Sequence, residues 1–264
     1  MRIWYQSFID PDLHAPYFRR LHSYLGEIAA PGTEYEVGGV RPPDLALHRI
    51  TEFRCAAQAI DHAIRAEERG FDVVLIGHFQ DAGLWEARSA AEVPVIGMGE
   101  ASMLYSLQLG RSFGLVAIDD AFDPVHREQA ERYGLTDRLV GVNAMSTPVR
   151  DLVAAFESDA AYGRVREIFQ RACAPLLAEG AEVIIPAGGL FGLLSARERD
   201  FRVGDAVILN PIAVSCKMAE AAASLRRTNG LGTSRASTFR RPPLQAIEEF
   251  HAFAREGGAQ EREK

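Results

Sequence analysis

The chain has few cysteines, no surplus of positive charge and no long apolar run, and each shortage closes off a class of function. Three cysteines in 264 residues, at 55, 173 and 216, cannot build a disulfide framework, and their spacing matches no zinc pattern. Lys and Arg number 29 against 36 Asp and Glu, a formal net charge of −7, whereas binding to nucleic acid calls for cations that replace phosphate counterions. Apolar runs such as 73–77 stop far short of the ~20 residues that span a bilayer. The first residues, MRIWYQSF, lack the layout of a secretory signal. Neither a phosphate-binding loop nor a dinucleotide fingerprint is present, so no organic cofactor is expected, and no metal site is indicated by spacing. These absences predict a cytoplasmic protein that binds neither nucleic acid nor membrane.

What is there reads as a folded domain or two. Hydrophobic residues make up 47% and charged residues 25%, enough for a sizeable core without staples. Short β-branched runs at 2–6, 72–77, 93–97, 113–117, 139–142, 182–186 and 206–209 are continuously apolar, the pattern of strands covered on both faces in a parallel α/β sheet. Helical patterns separate them. The clearest covers 160–179, where Val165, Ile168, Phe169, Ala172, Cys173, Leu176 and Leu177 recur at three- and four-residue steps. Pro175 lies inside it and predicts a kink.

The chain also resembles itself. ERGFDVVLIGH (68–78) lies over AEGAEVIIPAG (178–188) at an offset of 110 residues. Each copy is a helix end, a glycine stop, an acidic residue, a buried strand and a loop. A second strand and a small-residue helix follow in both halves. The reading is two similar α/β domains facing each other across a cleft, with ligand bound beyond the carboxyl ends of the strands. His78 and Gly188 then stand at corresponding positions on opposite walls.

At these residues the chain resembles the aspartate/glutamate racemase superfamily, in its hydantoin racemase-like branch. The stretches that carry the likeness are DVVLIGHFQDAGL (72–84), VPVIGMGEASM (93–103), GRSFGLVAI (110–118), ERYGLTDRLVGV (131–142), EGAEVIIPAGGL (179–190), AVILNPIAVSCKMAEA (206–221) and the tail NGLGTSRASTFRRPP (229–243). Each is weak alone; their order and spacing are together specific. The resemblance implies two parallel-sheet α/β domains related by pseudo-twofold symmetry, an active site between them, an oligomer of identical subunits, and cofactor-independent proton transfer at a carbon next to a carbonyl or carboxylate. We expect a first domain of 1–105 completed by about 222–256, a second domain of 106–221, and a disordered tail at 257–264.

The resemblance also implies a departure. Two-base members carry a cysteine at the end of each equivalent strand, and here those positions fall on His78 and on Gly188, or Ala187 with a gap. Cys173 and Cys216 lie on apolar helical stripes and read as core residues. His78 becomes the candidate catalytic group, since imidazole serves as base or acid near neutrality. Asp81 either orients that ring or caps the following helix. Ala187, Gly188 and Gly189 let main-chain amides approach a ligand and cradle an oxyanion. Gln6 and Ser7 follow the first strand, Glu100 the strand at 93–97, and Asn210 the last strand, and all are candidate substrate contacts. Arg226, Arg227, Arg235, Arg240 and Arg241 form an acid-free stretch in which one arginine could hold a carboxylate. The expected function is cofactor-independent one-sided chemistry by His78 on a small carboxylate, amide or cyclic imide, as a lyase, decarboxylase, isomerase or hydrolase. The alternatives are a two-base racemase with a second acid that is not cysteine, and a ligand-binding protein without chemistry.

Overall fold

The computed structural model describes the backbone of residues 1–43 and 48–259, with side chains as far as 254. Its strands form two sheets. The first holds β1 (Arg2–Gln6), β2 (Glu34–Gly38), β3 (Val73–Ile76) and β4 (Val95–Gly97) in the order β2-β1-β3-β4, all parallel. The second holds β5 (Phe113–Ala117), β6 (Leu139–Ala144), β7 (Val183–Pro186), β8 (Arg202–Val203) and β9 (Ala206–Ile208) in the order β6-β5-β7-β9-β8, parallel except for β8 at the edge. Substituting β5, β6, β7 and β9 for β1, β2, β3 and β4 reproduces the first order. The two-domain α/β architecture expected from the self-similarity is therefore present, and β3 and β7 are the repeated strands. The sequence reading did not include β2 and β8. β2, EYEVG, is a half-exposed edge strand with two glutamates, and β8 is two residues long, so neither carries a buried apolar run.

The helices among the described residues are α1 (Ala15–Ile28), α2 (Arg49–Ile64), α3 (Leu84–Ala90), α4 (Met98–Ser106), α5 (Asp123–Arg132), α6 (Val149–Ala154), α7 (Asp159–Ala178), α8 (Gly189–Ser195), α9 (Pro211–Asn229) and α10 (Leu244–Ala259). Alternation within the first sheet assigns its faces. Ile3, Tyr5, Val73 and Leu75 join a core that continues through Phe113 and Leu115 into the second domain, while Trp4, Val74 and Ile76 pack with α2 and α3 residues on the other side. α1 adds Tyr17, Phe18, Leu21, Tyr24 and Leu25 to the shared core at helical spacing. Each such side chain contributes ~1.5–3 kcal/mol by leaving water, so the two domains are joined by the same effect that folds them.

α7 runs through Pro175 to Ala178 without ending at it. α9 leaves the second sheet and lies on β3, β4 and α4 of the first. The Arg226-to-Arg241 stretch that follows acts as a strap. Arg226 pairs with Glu67, Arg241 with Glu92, and Arg235 donates to the carbonyls of Arg88, Ser89, Ala91 and Phe239. These three cations hold chain to chain and do not line the cleft. α10 runs from Leu244 to Ala259. Residues 260–264 lie outside the described residues. No helix among the described residues is long and apolar enough to cross a membrane.

Candidate active site

β3 and β7 end at Ile76 and Pro186, and two residues beyond each end stand His78 and Gly188. Both line one cavity, open to solvent, between the carboxyl ends of the two sheets. Ser7, Ala187 and Gly189 line it as well, as expected. The rest of the wall is largely apolar, with Phe8, Phe79, Phe122, Ile118, Val149 and Leu190. Among the described residues no Lys or Arg lines it.

His78 is held from two sides. Its ring stacks on Phe8, with centroids 4.2 Å apart and planes 7° apart. Its Nε2 lies 3.0 Å from Oε1 of Glu52 on the first turn of α2. Burial works to raise the Glu52 carboxyl, but the hydrogen bond and charge of His78, helped by His126 and Arg49, outweigh it and keep the group below the usual carboxylate range. An ionised carboxylate can only accept, so Nε2 carries the proton and Nδ1 is left as the basic atom. A side chain oriented by a carboxylate in this way is the arrangement of a general base.

The strand end itself needs glycine. A Cβ at Gly77 would lie 2.2 Å from the Tyr5 ring, so only a bare α-carbon lets the chain turn there over the floor of the cavity. On that floor the Tyr17 hydroxyl sits beside those of Tyr5 and Ser7, and burial pushes it up to about 12, so it stays a proton donor across the working pH range. It lies 3.1 Å from where a Cβ on Gly189 would be, with the Gly77 carbonyl 3.8 Å from the same point. Tyr17 thus stands where the two walls meet.

Across the cavity the main chain differs from expectation in one detail. The Gly188 amide donates to Pro186 O at 2.9 Å. The amides not used within the helix are those of the first turn of α8, at Gly189, Leu190 and Phe191.

Four expected contacts lie elsewhere. Gln6 is fully buried beneath the site, accepting from Trp4 Nε1 at 2.9 Å and bonding His62 Nδ1 at 2.7 Å, and it does not reach the cavity. Asp81 neither orients His78 nor caps α3. Held at a left-handed φ of 54°, it accepts from the amides of Gly99 and Glu100 at the start of α4, from Gln129 Nε2, and from the Tyr133 hydroxyl at 2.7 Å. It ties the loop after β3 to α5 of the second domain, and burial pushes its carboxyl up to about 6. Glu100 faces Arg88 in a two-pronged pair. Asn210 caps α9, accepting from Ile212 N and Ala213 N at 3.0 Å each, and its amide reaches Tyr24. All four serve the frame because the loops after parallel strands must satisfy helix starts as well as bind ligand.

Three residues near the cavity were missed by sequence reasoning. Glu52 is 26 residues from His78 on a separate helix, so spacing could not link them. Tyr17 reads as one more apolar-face residue of α1. His14, in the loop after β1, lines the cavity, and its place beyond a strand end was a legible cue. The three cysteines are fully buried and none lines the cavity. Burial raises the Cys173 thiol to about 12 and raises Cys216 also. Among the described residues no cluster of three His, Cys, Asp or Glu side chains forms a metal cage.

The family model for Asp/Glu/Hydantoin racemase matches residues 9–219. The chain belongs to that family. It is 26% identical over 237 residues to a hydantoin racemase of Paenarthrobacter aurescens, covering 89% of this chain and 95% of that protein. Its fold is similar to that of allantoin racemase from Klebsiella pneumoniae, with a TM-score of 0.74, 23% identity, and 92% and 94% of the two chains covered. A variant of arylmalonate decarboxylase shares the fold at a TM-score of 0.54 and 16% identity, over 89% of this chain and 97% of that one. This family member is an isomerase-type enzyme of the racemase superfamily.

Proposed function

We propose that this racemase-family enzyme moves the proton on a carbon beside a carbonyl in a small neutral cyclic imide or amide, with His78 as the base. The observation that carries this reading is the His78–Glu52 pair, set at the end of β3 in the wall of the inter-domain cavity. The absence of Lys and Arg from the described cavity lining weighs against a free carboxylate as the group recognised, since a desolvated carboxylate calls for a cationic partner. The hydantoin and allantoin named for its relatives are neutral ring amides that fit this requirement.

In the reaction, Nδ1 of His78 takes the proton and the C–H pair moves into the carbonyl as an enolate. Glu52 stabilises the imidazolium that forms. The Tyr17 hydroxyl and the first-turn amides of α8 are the donors available to the enolate oxygen, each worth ~2–4 kcal/mol if aligned with developing charge. The apolar wall excludes water and strengthens these bonds. A second reading, one-sided decarboxylation or hydrolysis, draws on the glycine main chain facing His78, which offers no side-chain acid at that position.

The test is loss of the ring α-proton of a 5-substituted hydantoin to D₂O, followed by NMR against an enzyme-free control. The reading requires exchange by the wild type and at least a 100-fold loss in His78→Asn for one enantiomer. Unchanged exchange in that variant would remove His78 from the chemistry.

A further inference from the structure

Among the described residues, one more titratable side chain besides His78 and Tyr17 lines the cavity. His14 occupies the residue before α1 and makes no side-chain cap there. Its backbone is pinned, its amide donating to Asp10 O and its carbonyl accepting from Phe18 N, both at 3.2 Å. Its Nδ1 is buried with no hydrogen-bond partner. A buried ring nitrogen left unmatched is destabilising, and a residue that merely started the helix would be better replaced by Ser, Asp or Asn. The adjoining turn of α1 is held against the second domain. Tyr17 reaches Gly189 and stands edge-on to Phe156 at 5.9 Å, and Arg19 pairs with Glu157 at 2.8 Å. The cavity therefore has one imidazole on the loop after β3 and another on the turn that leans on the opposite domain.

We propose that His14 is the second proton-transfer group of this enzyme, making the site a two-imidazole racemase. The proposal rests on the assignment of His78 as the first base. In one direction His78 takes the α-proton: the C–H bond breaks and its electron pair becomes the enolate. His14, as imidazolium, then gives its N–H proton to the other face of the same carbon, and a new C–H bond forms as the pair returns. The turn ends with His78 protonated and His14 neutral, and the opposite enantiomer runs the sequence backwards. No oxidant, reductant or co-reactant is needed.

The experiment uses each enantiomer of 5-benzylhydantoin in D₂O near neutral pH, with α-proton loss read by NMR and enantiomer composition by chiral chromatography. In His14→Asn, interconversion should fall at least 100-fold in both directions, while α-proton exchange of the enantiomer deprotonated by His78 stays within about tenfold of wild type. Asn is the better helix cap, so the melting temperature should hold or rise while the chemistry is lost. His14→Gln serves as a second variant. Interconversion at the wild-type rate in both variants would overturn the role of His14 and leave His78 standing. Exchange that survives His78→Asn for both enantiomers would overturn the assignment beneath it. A wild type that exchanges neither enantiomer would overturn both.

Discussion

Replacing Glu52 by glutamine tests whether the carboxylate does more than sit beside His78. The substitution keeps the size of the side chain and can keep a hydrogen bond to Nε2 across the 3.0 Å gap, but it removes the charge. Both side chains are about one-fifth exposed, so the pair is shielded from solvent but not sealed. A hydrogen bond to a charged partner is worth ~1.5–3 kcal/mol and a neutral one ~0.5–1.5. The difference, about 1–1.5 kcal/mol, is lost when the imidazolium forms, so kcat/KM should fall roughly tenfold. If the amide instead turns its NH₂ toward Nε2, the ring must carry its proton on Nδ1, the basic atom is lost, and the fall grows to the order of 10³. Steady-state rates of hydantoin epimerisation read the loss. A rate within twofold of wild type would refute the orienting role.

Tyr17→Phe should lower kcat by ~10–100-fold with little change in melting temperature, because it deletes a donor and leaves the ring in place; since the hydroxyl is pushed up to about 12, the loss should be uniform across neutral pH. Asp81 contributes a stability term of opposite sign to that of an ordinary surface carboxylate. Its folded value of about 6 lies above its free value of 3.8, so the folded state binds the proton more tightly, the contribution is full below about 3.8, and it is lost as pH rises through about 6. Urea titrations at pH 4 and pH 7 should show about 2 kcal/mol of this fall in wild type and none of it in Asp81→Asn; equal slopes in the two proteins would contradict the buried carboxyl. The two glycines of the far wall should separate, since a Cβ at Gly188 meets nothing within 4 Å while one at Gly189 comes within 3.1 Å of the Tyr17 hydroxyl. Gly188→Ala should melt within ~2 °C of wild type, and Gly189→Ala should raise KM by displacing Tyr17, both readable by calorimetry and initial rates.

The architecture was legible in the sequence because parallel strands covered on both faces leave uninterrupted apolar runs, and because the second half repeats the first at 110 residues. The position of His78 was legible for the same reason: loops after such strands converge on a cleft. Its partner was not, since Glu52 comes from a helix start whose acidic residue could as well answer the helix dipole. Gln6, Asp81, Glu100 and Asn210 share the same loop addresses as the true lining residues. What distinguishes them is where their polar atoms are spent. Gln6 and Asp81 are buried, Glu100 and Asn210 are partly exposed away from the cavity, and hydrogen bonds to Trp4, Gly99, Arg88 and Ile212 engage them in turn. A linear pattern records the loop but not the partner.

The duplicated frame and the unduplicated chemistry fit together through the demands of imidazole. A thiol pair needs only two short side chains at equivalent strand ends, so a symmetric frame supplies it directly. An imidazole base is larger and needs its second nitrogen held. The ring of His78 takes its orientation from Phe8 on one side and Glu52 on the other, which come from the loop after β1 and from α2. Those elements have no bulky counterpart at Gly188, whose α-carbon faces open space. With one wall filled by an oriented ring and its stack, a bare glycine opposite leaves the width that a ring-shaped substrate requires. Any acid for the second face must then come from an element that crosses between domains, and α1, leaning on α8 through Tyr17 and carrying His14 at its start, is the crossing element whose first turn borders the cavity. Asymmetry in the side chains is thus what a neutral ring substrate and a single oriented base together impose on a symmetric scaffold.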